Sequence, residues 1–339
     1  MIAFRNYNHT KPSVRWICLV ICLTLLAGKT NGQDPGFSQL YASPIFLNPA
    51  FAGNREKPRA ALFYRQQGPG FQMKYLSFGV AYDQPVEWAH GGAGLMIWSD
   101  HQGSGIIRRT SADAMYSYHL QVSEEWFIDA GFQVSWIQKR VVSEGLVFPD
   151  MIDPGSGNLL PTGESMPDYS RGFVDFSTGF MAYYRDFFGG FSVHHLTEPN
   201  ESFSENIRVP LYRKYSLQAG MAFYAGGRRD FPTTWVITPH ILLQKQYQAW
   251  LVTWGLNLSR DRWIAGLRMR QDRLQSPDAL IILAGISLHD WDIAYSIDLE
   301  MPREGMVRPF TGGHEVSLIW NFFLPGKRKR IRAIKCPRI

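Results

Sequence analysis

The chain has 339 residues, of which 45% are apolar and 14% aromatic, and its formal net charge is +6. Four basic residues and no acid lie in residues 1–32, and seven basic residues and no acid lie in residues 327–339. Without these eleven positive charges, the formal net charge of residues 33–326 is −5. The excess of basic residues therefore lies at the two ends of the chain. For this reason the high isoelectric point does not indicate nucleic-acid binding.

Residues 1–32 have the pattern of a secretory signal peptide. Basic residues precede the apolar run of residues 16–28, and small or polar residues follow it, so we predict cleavage before Gln33. The run is shorter than the roughly 20 residues that a membrane-spanning helix needs. Cleavage leaves Cys336 as the one cysteine of the exported chain, which excludes an intramolecular disulfide.

Residues 33–58 form a segment that fits neither a helix nor a strand and contains the sequence QDPGFSQLYASPIFLNPAFAGN. Pro35, Pro44 and Pro49 exclude a continuous strand ladder, while aromatic and leucine side chains supply apolar anchors. We expect the segment to fold into the periplasmic mouth of a barrel and to plug part of its lumen. The alternative is an ordered lead-in that only fastens the first strand.

Residues 59–323 alternate between apolar and polar side chains with a period of two. In WDIAYSIDLE, for example, Ile293 and Tyr295 share one face with the other apolar residues, while Ser296 and Asp298 lie on the opposite face. Fourteen segments follow this pattern, near residues 59–65, 74–83, 91–99, 108–121, 125–139, 171–185, 187–196, 211–224, 233–244, 247–258, 261–270, 279–288, 290–300 and 313–323.

The composition of the two faces favours a membrane barrel over a soluble sandwich. A sandwich also alternates, but its apolar faces meet in a dry core. Here the polar faces are rich in Gly and Ser, the strands run about ten residues, and aromatic residues stand at their ends, as in a transmembrane barrel. We predict an all-β fold: a transmembrane antiparallel β-barrel of about 14 strands, with an irregular N-terminal segment at the periplasmic mouth.

The connections between the segments alternate in length. If the first strand runs outward, the even-numbered connections return in the periplasm and are short, whereas the odd-numbered ones are extracellular. The longer odd connections are residues 140–170, 197–210 and 301–312, and the one near Lys245 is a short exception. An even number of strands then places both mature termini in the periplasm of an outer-membrane protein.

We find no motif for catalysis, for a cofactor or for a metal. His194 and His195 lie in a strand-like stretch where neighbouring residues point to opposite faces, so a shared metal is not expected. The sequence has no P-loop, no dinucleotide-binding glycine motif and no nucleophile elbow. We therefore predict a protein that is not an enzyme, in which inward carboxylates and arginines pair across the barrel or line a wet interior.

The segment after the signal peptide closely resembles the N-terminal signature of the PorP/SprF family of type IX secretion system membrane proteins. The matching elements are residues 33–35, 37–39 and 48–53, and the closing GGHEVSLIWNFF resembles the last strand of the family. Twelve residues of these motifs are candidates for partner contact: Asp34, Pro35, Phe37, Ser38, Gln39, Asn48, Pro49, Ala50, Phe51, Gly53, His314 and Glu315.

The resemblance implies a non-enzymatic outer-membrane component of the type IX secretion system that supports secretion or surface anchoring of a partner protein and, in gliding bacteria, gliding motility. The implied partners are the periplasmic ring, a peptidoglycan-binding lipoprotein and a large adhesin-like surface protein. Outer-membrane lipid surrounds the barrel, and no nucleic acid or cofactor is expected. Two other classes stay open from the residues: a porin-like or fatty-acid-transporter-like channel, and, with less support, an outer-membrane enzyme.

Residues 324–339 depart from the family pattern, because barrel chains commonly end at the aromatic residue of the last strand. We expect this basic tail to be disordered in isolation and to be attracted to anionic lipid headgroups or an acidic partner in the periplasm. The alternative is a solvated tail without function. The basic residues considered for contact are Lys327, Arg328, Lys329, Arg330 and Arg332.

Overall fold

The structure is a computed structural model that describes residues 34, 36–40, 42–68, 75–142, 146, 149–153, 155, 168–204, 206–226, 234–272, 276–301 and 312–322. Contacts within the chain define two units, Met1–Asp34 and Pro35–Ile339. Asp34 is the one described residue of the first unit. The predicted signal peptide and the basic tail lie outside the described residues, and everything below concerns the second unit.

The described part of the second unit contains fourteen antiparallel strands, preceded by a segment without strands. Both Lys214–Met221 and Phe223–Ala225 pair with Trp235–Gln246, so we count them as one strand, β8, interrupted at Ala222. The strands are β1 Arg59–Gln67, β2 Tyr75–Val86, β3 Gly91–Gln102, β4 Ile107–Gln121, β5 Trp126–Val141, β6 Tyr169–Tyr184, β7 Phe187–His194, β8 as defined, β9 Trp235–Gln246, β10 Ala249–Arg260, β11 Trp263–Asp272, β12 Ser276–Leu288, β13 Trp291–Glu300 and β14 Gly313–Asn321.

The sheet closes on itself into a barrel. Each strand pairs with its neighbours in chain order, and β14 pairs with β1 so that Arg59 stands opposite Asn321. Closure leaves no free sheet edge, which is the condition for strands to cross a bilayer. The prediction of a transmembrane antiparallel barrel of about 14 strands is confirmed. Each predicted segment matches one strand, with ends that differ by a few residues.

The alternation predicted from the sequence separates an apolar outer face from a polar inner face. On β13, Ile293 and Tyr295 are 42% and 44% exposed, whereas Ser296 and Asp298 are 0% and 1% exposed. Leu and aromatic side chains on other strands repeat the exposed apolar belt that lipid requires. Among the described residues, no helix is long and apolar enough to cross a membrane.

The two ends of the barrel differ in their connections. At the end where β1 begins, which we call the turn end, the connections include the two-residue turns 185–186, 261–262 and 289–290. Their first residues adopt the left-handed conformation that such turns require, with φ near +53°. At the opposite end, the loop end, the strands are joined by residues 142–168, 195–213 and 301–312 as well as by shorter connections. The three longest connections lie at the loop end, as predicted, while the short loop-end connections 103–106, 247–248 and 273–275 and the longer turn-end connection 226–234 depart from the predicted alternation.

Aromatic pairs stand at the turn end of the outer face. Trp126 stacks on Tyr184 with ring centroids 4.7 Å apart, and Trp291 stacks on Trp320 at 5.3 Å. Trp88, in the turn between β2 and β3, is 88% exposed. Aromatic girdles of this kind sit at the boundary between the hydrocarbon and the headgroups.

A charge on the outer face near the middle of a strand is expected to destabilise the barrel. Phe132 of β5 is 48% exposed and stacks on Phe176 of β6. We expect Phe132→Arg to lower the free energy of unfolding in lipid vesicles by about 2–4 kcal/mol, because the guanidinium is placed in hydrocarbon. Trp88→Arg, at the interface, is the control and is expected to cost about 0–1 kcal/mol. Equal losses for the two variants would contradict the assignment of the outer face.

Candidate functional site

A segment of the chain lies inside the barrel and packs against the inner face of its wall. We call residues 36–40 and 42–54 the lumen segment. It contains a short helix, α1, at Pro44–Leu47, followed by a 3-10 turn at Pro49–Phe51. A proline stands at the first position of each, where its missing N–H leaves no hydrogen bond unmade. The prolines that exclude a strand thus start two helical turns.

Apolar side chains of the lumen segment form a core with the wall. Phe37 meets Phe46 and Phe63 edge-to-face, with ring centroids 4.9 and 4.8 Å apart, and Phe46 meets Trp98 at 5.7 Å. Phe51 is 2% exposed and belongs to the same cluster. The barrel therefore has a dry core in the lumen in addition to its lipid-facing surface, and the lumen segment supplies one side of that core.

The start of the lumen segment is held by side chains near the loop ends of β13 and β14. Glu315 accepts hydrogen bonds from the backbone N–H groups of Ser38 at 2.6 Å and Gln39 at 3.1 Å. Ser38 Oγ donates to Asp298 at 2.8 Å, and Arg268 donates to the Ser38 carbonyl at 2.6 Å. Bonds from N–H groups to a carboxylate are among the stronger hydrogen bonds in proteins. We call this contact the charged anchor.

Buried arginines neutralise the carboxylates of the charged anchor. Arg65 of β1 is 2% exposed and lies 2.7 Å from Asp298 and 3.0 Å from Glu315. Arg270 lies 2.8 Å from Asp298 and 2.9 Å from Asp278. Arg65 also contacts Ser38 Oγ directly. The ion network and the docked segment therefore form one hydrogen-bonded unit. The inward charges pair between the neighbouring strands β13, β14 and β1, whereas the sequence predicted pairing across the barrel.

The second half of the lumen segment is held through its backbone. Ser192 and His194 contact the Leu47 carbonyl at 2.9 and 3.1 Å, and Ser117 donates to the Ala50 carbonyl at 2.9 Å. Further along, the Gly53 N–H donates to Asp83 at 3.1 Å, and Asp83 in turn pairs with Arg59 at 2.8 Å. The wall side chains that contact the segment here come from β2, β4 and β7.

Asn48 joins the two turns of the segment to the wall. Its Oδ1 accepts from the Ala50 N–H at 2.9 Å and so caps the 3-10 turn, while its Nδ2 donates to the carbonyls of Phe180 and Phe191 at 3.3 Å. The side chain is 1% exposed. One buried side-chain amide thus forms hydrogen bonds with the backbone of the 3-10 turn and with the backbones of two strands.

We expect Asn48→Ala to lower the free energy of unfolding by about 1–2 kcal/mol, because it removes a cap and leaves buried groups without partners. Urea unfolding of the detergent-solubilised barrel measures this loss. Asn48→Asp separates the two contributions, since it keeps the capping oxygen and removes the amide donors. An alanine variant as stable as the wild type would show that the Asn48 cap contributes nothing.

Glycines of the wall provide the space for the segment. A Cβ on Gly131 of β5 would overlap the backbone of Ala50, and one on Gly179 of β6 would overlap the side chain of Asn48. A Cβ on Gly92 of β3 would overlap the Ala52 carbonyl. The glycines of the polar face are therefore sites of close approach between the wall and the segment.

The structure brings most of the motif residues together and separates a few. Phe37, Ser38, Gln39, Asn48, Pro49, Ala50, Phe51, Gly53 and Glu315 meet in the lumen. His314, in contrast, is hydrogen-bonded at 2.6 Å to Tyr295, which is exposed on the outer face. Asp34 belongs to the other unit. Pro35 and the basic residues Lys327, Arg328, Lys329, Arg330 and Arg332 lie outside the described residues.

Sequence reasoning did not identify the wall residues that receive the segment. Arg65, Asp298, Arg268, Gly131 and Ser192 are not among the candidates it gives. The sequence feature that could have identified them is their position, because each is a charged or small residue on the inward-facing side of an alternating strand. That position predicts that the side chain faces the lumen, but it does not predict which residue of the lumen segment it contacts.

The two adjacent histidines differ from the expectation that they point to opposite faces. β7 ends at His194, and His195 takes a left-handed conformation with φ +60°, so strand alternation does not extend to it. Both rings are buried, with different partners: His194 contacts the Leu47 carbonyl, and His195 lies 2.6 Å from Asp175. The described residues contain no group of three His, Cys, Asp or Glu side chains arranged to hold a metal.

The sequence pattern of the family described as type IX secretion system membrane protein PorP/SprF matches residues 29–320. No curated protein sequence matches the chain. Among solved structures, a Pseudomonas aeruginosa FadL homologue is similar, with 12% identity over 83% of this chain and 94% of that one and a TM-score of 0.43. The toluene transporter TodX of Pseudomonas putida is similar with 13% identity over 82% and 92% and a TM-score of 0.45. The KdgM porin is similar with 7% identity over 78% and 99% and a TM-score of 0.35.

Proposed function

The chain belongs to the PorP/SprF family of type IX secretion system membrane proteins, and on this premise we propose that it supports the secretion or surface anchoring of one large adhesin-like protein. The family and the barrel make it an outer-membrane component of that system. In the proposal it acts without catalysis, through contacts with the periplasmic ring and a peptidoglycan-binding lipoprotein.

The occupied lumen is the observation that carries the proposal. A passive channel needs a continuous aqueous path, and here Phe37, Phe46 and Phe51 lie inside the barrel and pack in one apolar cluster with wall side chains such as Phe63 and Trp98. The residues that fill the lumen are those of the family motif. This favours a protein-binding role over the alternative, a porin-like or fatty-acid-transporter-like channel for small molecules.

We further propose that the turn end faces the periplasm. Five of its six connections have two to four residues, and the three longest connections of the barrel lie at the other end. Short connections are usual for the periplasmic side of outer-membrane barrels. In this orientation β1 begins and β14 ends on the side of the periplasmic machinery, and the basic tail of residues 324–339 starts there. The proposed division of the chain is a signal peptide at 1–32, the N-terminal segment at 33–58, the barrel at 59–323 and the tail.

The turn end also offers apolar surface for a protein contact. Trp88 is 88% exposed and Val122 is 57% exposed, in the turns after β2 and β4. The sheet order places these turns side by side on the rim, because β3 and β4 are neighbours. Exposed aromatic residues beyond the strand ends are frequent anchors of protein interfaces.

An affinity pull-down from detergent-solubilised outer membranes tests the proposal. We expect the tagged protein to bring down periplasmic ring proteins or one large surface protein, identified by mass spectrometry. Trp88→Ala is expected to reduce this recovery, whereas Ile207→Ala, which changes a 58% exposed residue at the loop end, keeps periplasmic partners bound. Recovery of the barrel alone, together with steady conductance in planar bilayers, would overturn the proposal in favour of the channel.

A further inference from the structure

The barrel wall is complete without the lumen segment. All fourteen described strands find both of their neighbours within the ring. The backbone-to-backbone hydrogen bonds of residues 36–54 that the described residues contain run within the segment itself, such as Asn48 N to Pro44 O and Ala52 N to Pro49 O. Withdrawal of the segment therefore breaks no described bond of the strand ladder.

The wall recognises the segment as a binding site recognises a peptide. Wall side chains contact seven backbone groups along it: the N–H groups of Ser38, Gln39 and Gly53 and the carbonyls of Ser38, Leu47, Ala50 and Ala52. Contacts to the backbone of a bound segment give affinity, while pockets and close approaches give specificity. Glycines at 92, 131 and 179 supply the close approaches.

The docked state also carries an electrostatic cost that release removes. Arg65, Asp298 and Glu315 are 2% exposed or less. Burial of an ion costs several kcal/mol per charge before pairing offsets this cost. Asp129 of β5, 0% exposed, accepts no hydrogen bond at either oxygen within the described residues. It lies on the same inner face as Gly131, two residues away, and Gly131 is where the Ala50 backbone approaches the wall. Entry of water after release would hydrate these groups.

We propose that the inner wall is a binding site for an irregular polypeptide segment with short helical turns, occupied by this chain's own lumen segment, and that the segment leaves and re-enters it. The ligand class is a peptide that forms no strand-ladder hydrogen bonds with the wall. Its Ser-Gln residues bind at the charged anchor, and its Asn-Pro-Ala-Phe-Ala-Gly residues pack against the wall glycines. The barrel then has two states, one filled and one with a water-accessible lumen. This goes beyond the secretion role and does not depend on the identity of its partners.

The turn between the segment and β1 allows a direct test in the full chain. Glu56 is exposed, whereas Asn54 and Pro58 on either side of the turn are buried. A specific protease site inserted at Glu56 leaves the contacts on both sides in place. The purified folded protein is cleaved there and then exposed to a fluorescent synthetic peptide with the sequence of residues 33–54. The uncleaved protein is the control.

We expect the cleaved segment to stay bound and to exchange with the labelled peptide in a saturable manner. A peptide carrying Asn48→Ala is expected to bind about tenfold more weakly, which is the effect of losing roughly one buried hydrogen bond. A scrambled peptide of equal composition is expected not to compete. Exchange that never occurs while the barrel stays folded would make the segment a permanent part of the core. Equal binding of native and scrambled peptides would overturn the site itself.

Discussion

Arg65→Met is expected to lower the free energy of unfolding by about 3–5 kcal/mol, because removal of one partner leaves buried charges without compensation. Arg65 lies 2.7 Å from Asp298 and 3.0 Å from Glu315, and the three side chains are 2% exposed or less. Glu315 in turn holds the backbone of Ser38. The loss is therefore expected both in the unfolding of the barrel in urea and in faster proteolysis of the lumen segment.

The matched control is Arg140→Met, which removes an ion pair of the same chemistry at the surface. Arg140 and Asp168 are 2.6 Å apart, but their side chains are 51% and 37% exposed. We expect a change of about 0–1 kcal/mol, because solvent screens exposed pairs. If Arg65→Met and Arg140→Met destabilise the protein equally, the buried network does not hold the segment.

Gly131→Ala is expected to expel the second half of the lumen segment, at a cost of about 1–3 kcal/mol typical of overpacking. The added Cβ would meet the Ala50 Cα at 2.6 Å, and backbone atoms cannot rotate away as a flexible side chain can. We expect conductance in planar bilayers to appear in this variant, together with protease cleavage near Ala50. The wild type is expected to conduct only briefly, when the segment leaves the lumen, because the docked segment fills it.

Gly94→Ala provides the comparison within the same inner face. A Cβ on Gly94 would meet the Ala52 Cβ at 3.4 Å, which is close to ordinary contact. We expect this variant to keep the stability and the closed lumen of the wild type to within about 0.5 kcal/mol. A Gly131→Ala variant that behaves like Gly94→Ala would show that the segment does not lie against β5.

The fold was predictable because its information is local. Each strand carries its own alternation, so the side that faces lipid is fixed by residues two positions apart, as on WDIAYSIDLE. The turns add a second local signal, since short connections between alternating segments force antiparallel neighbours. The number of strands and the end of the barrel at which each connection lies follow from these signals. β8 keeps its place in the sheet although it is interrupted at Ala222.

The end of β7 shows where such local reasoning fails. The alternation of FSVHHL places His194 and His195 on opposite faces, but the strand stops between them. The carboxylate of Asp175 lies 20 positions before His195 and pairs with it at 2.6 Å. A strand end set by a distant partner has no signature in the five or six residues around it.

The sequence by itself determined a barrel of about fourteen strands, its apolar outer face, its polar inner face and an N-terminal segment unfit for the ladder. The tertiary structure alone decided how far the segment enters the lumen and which charges receive it. Ser38 and Glu315 are 277 positions apart, and Ser38 and Arg268 are 230 apart. A pattern of period two assigns a residue to a face, whereas the partner across the lumen depends on barrel closure, which brings the first and last strands together.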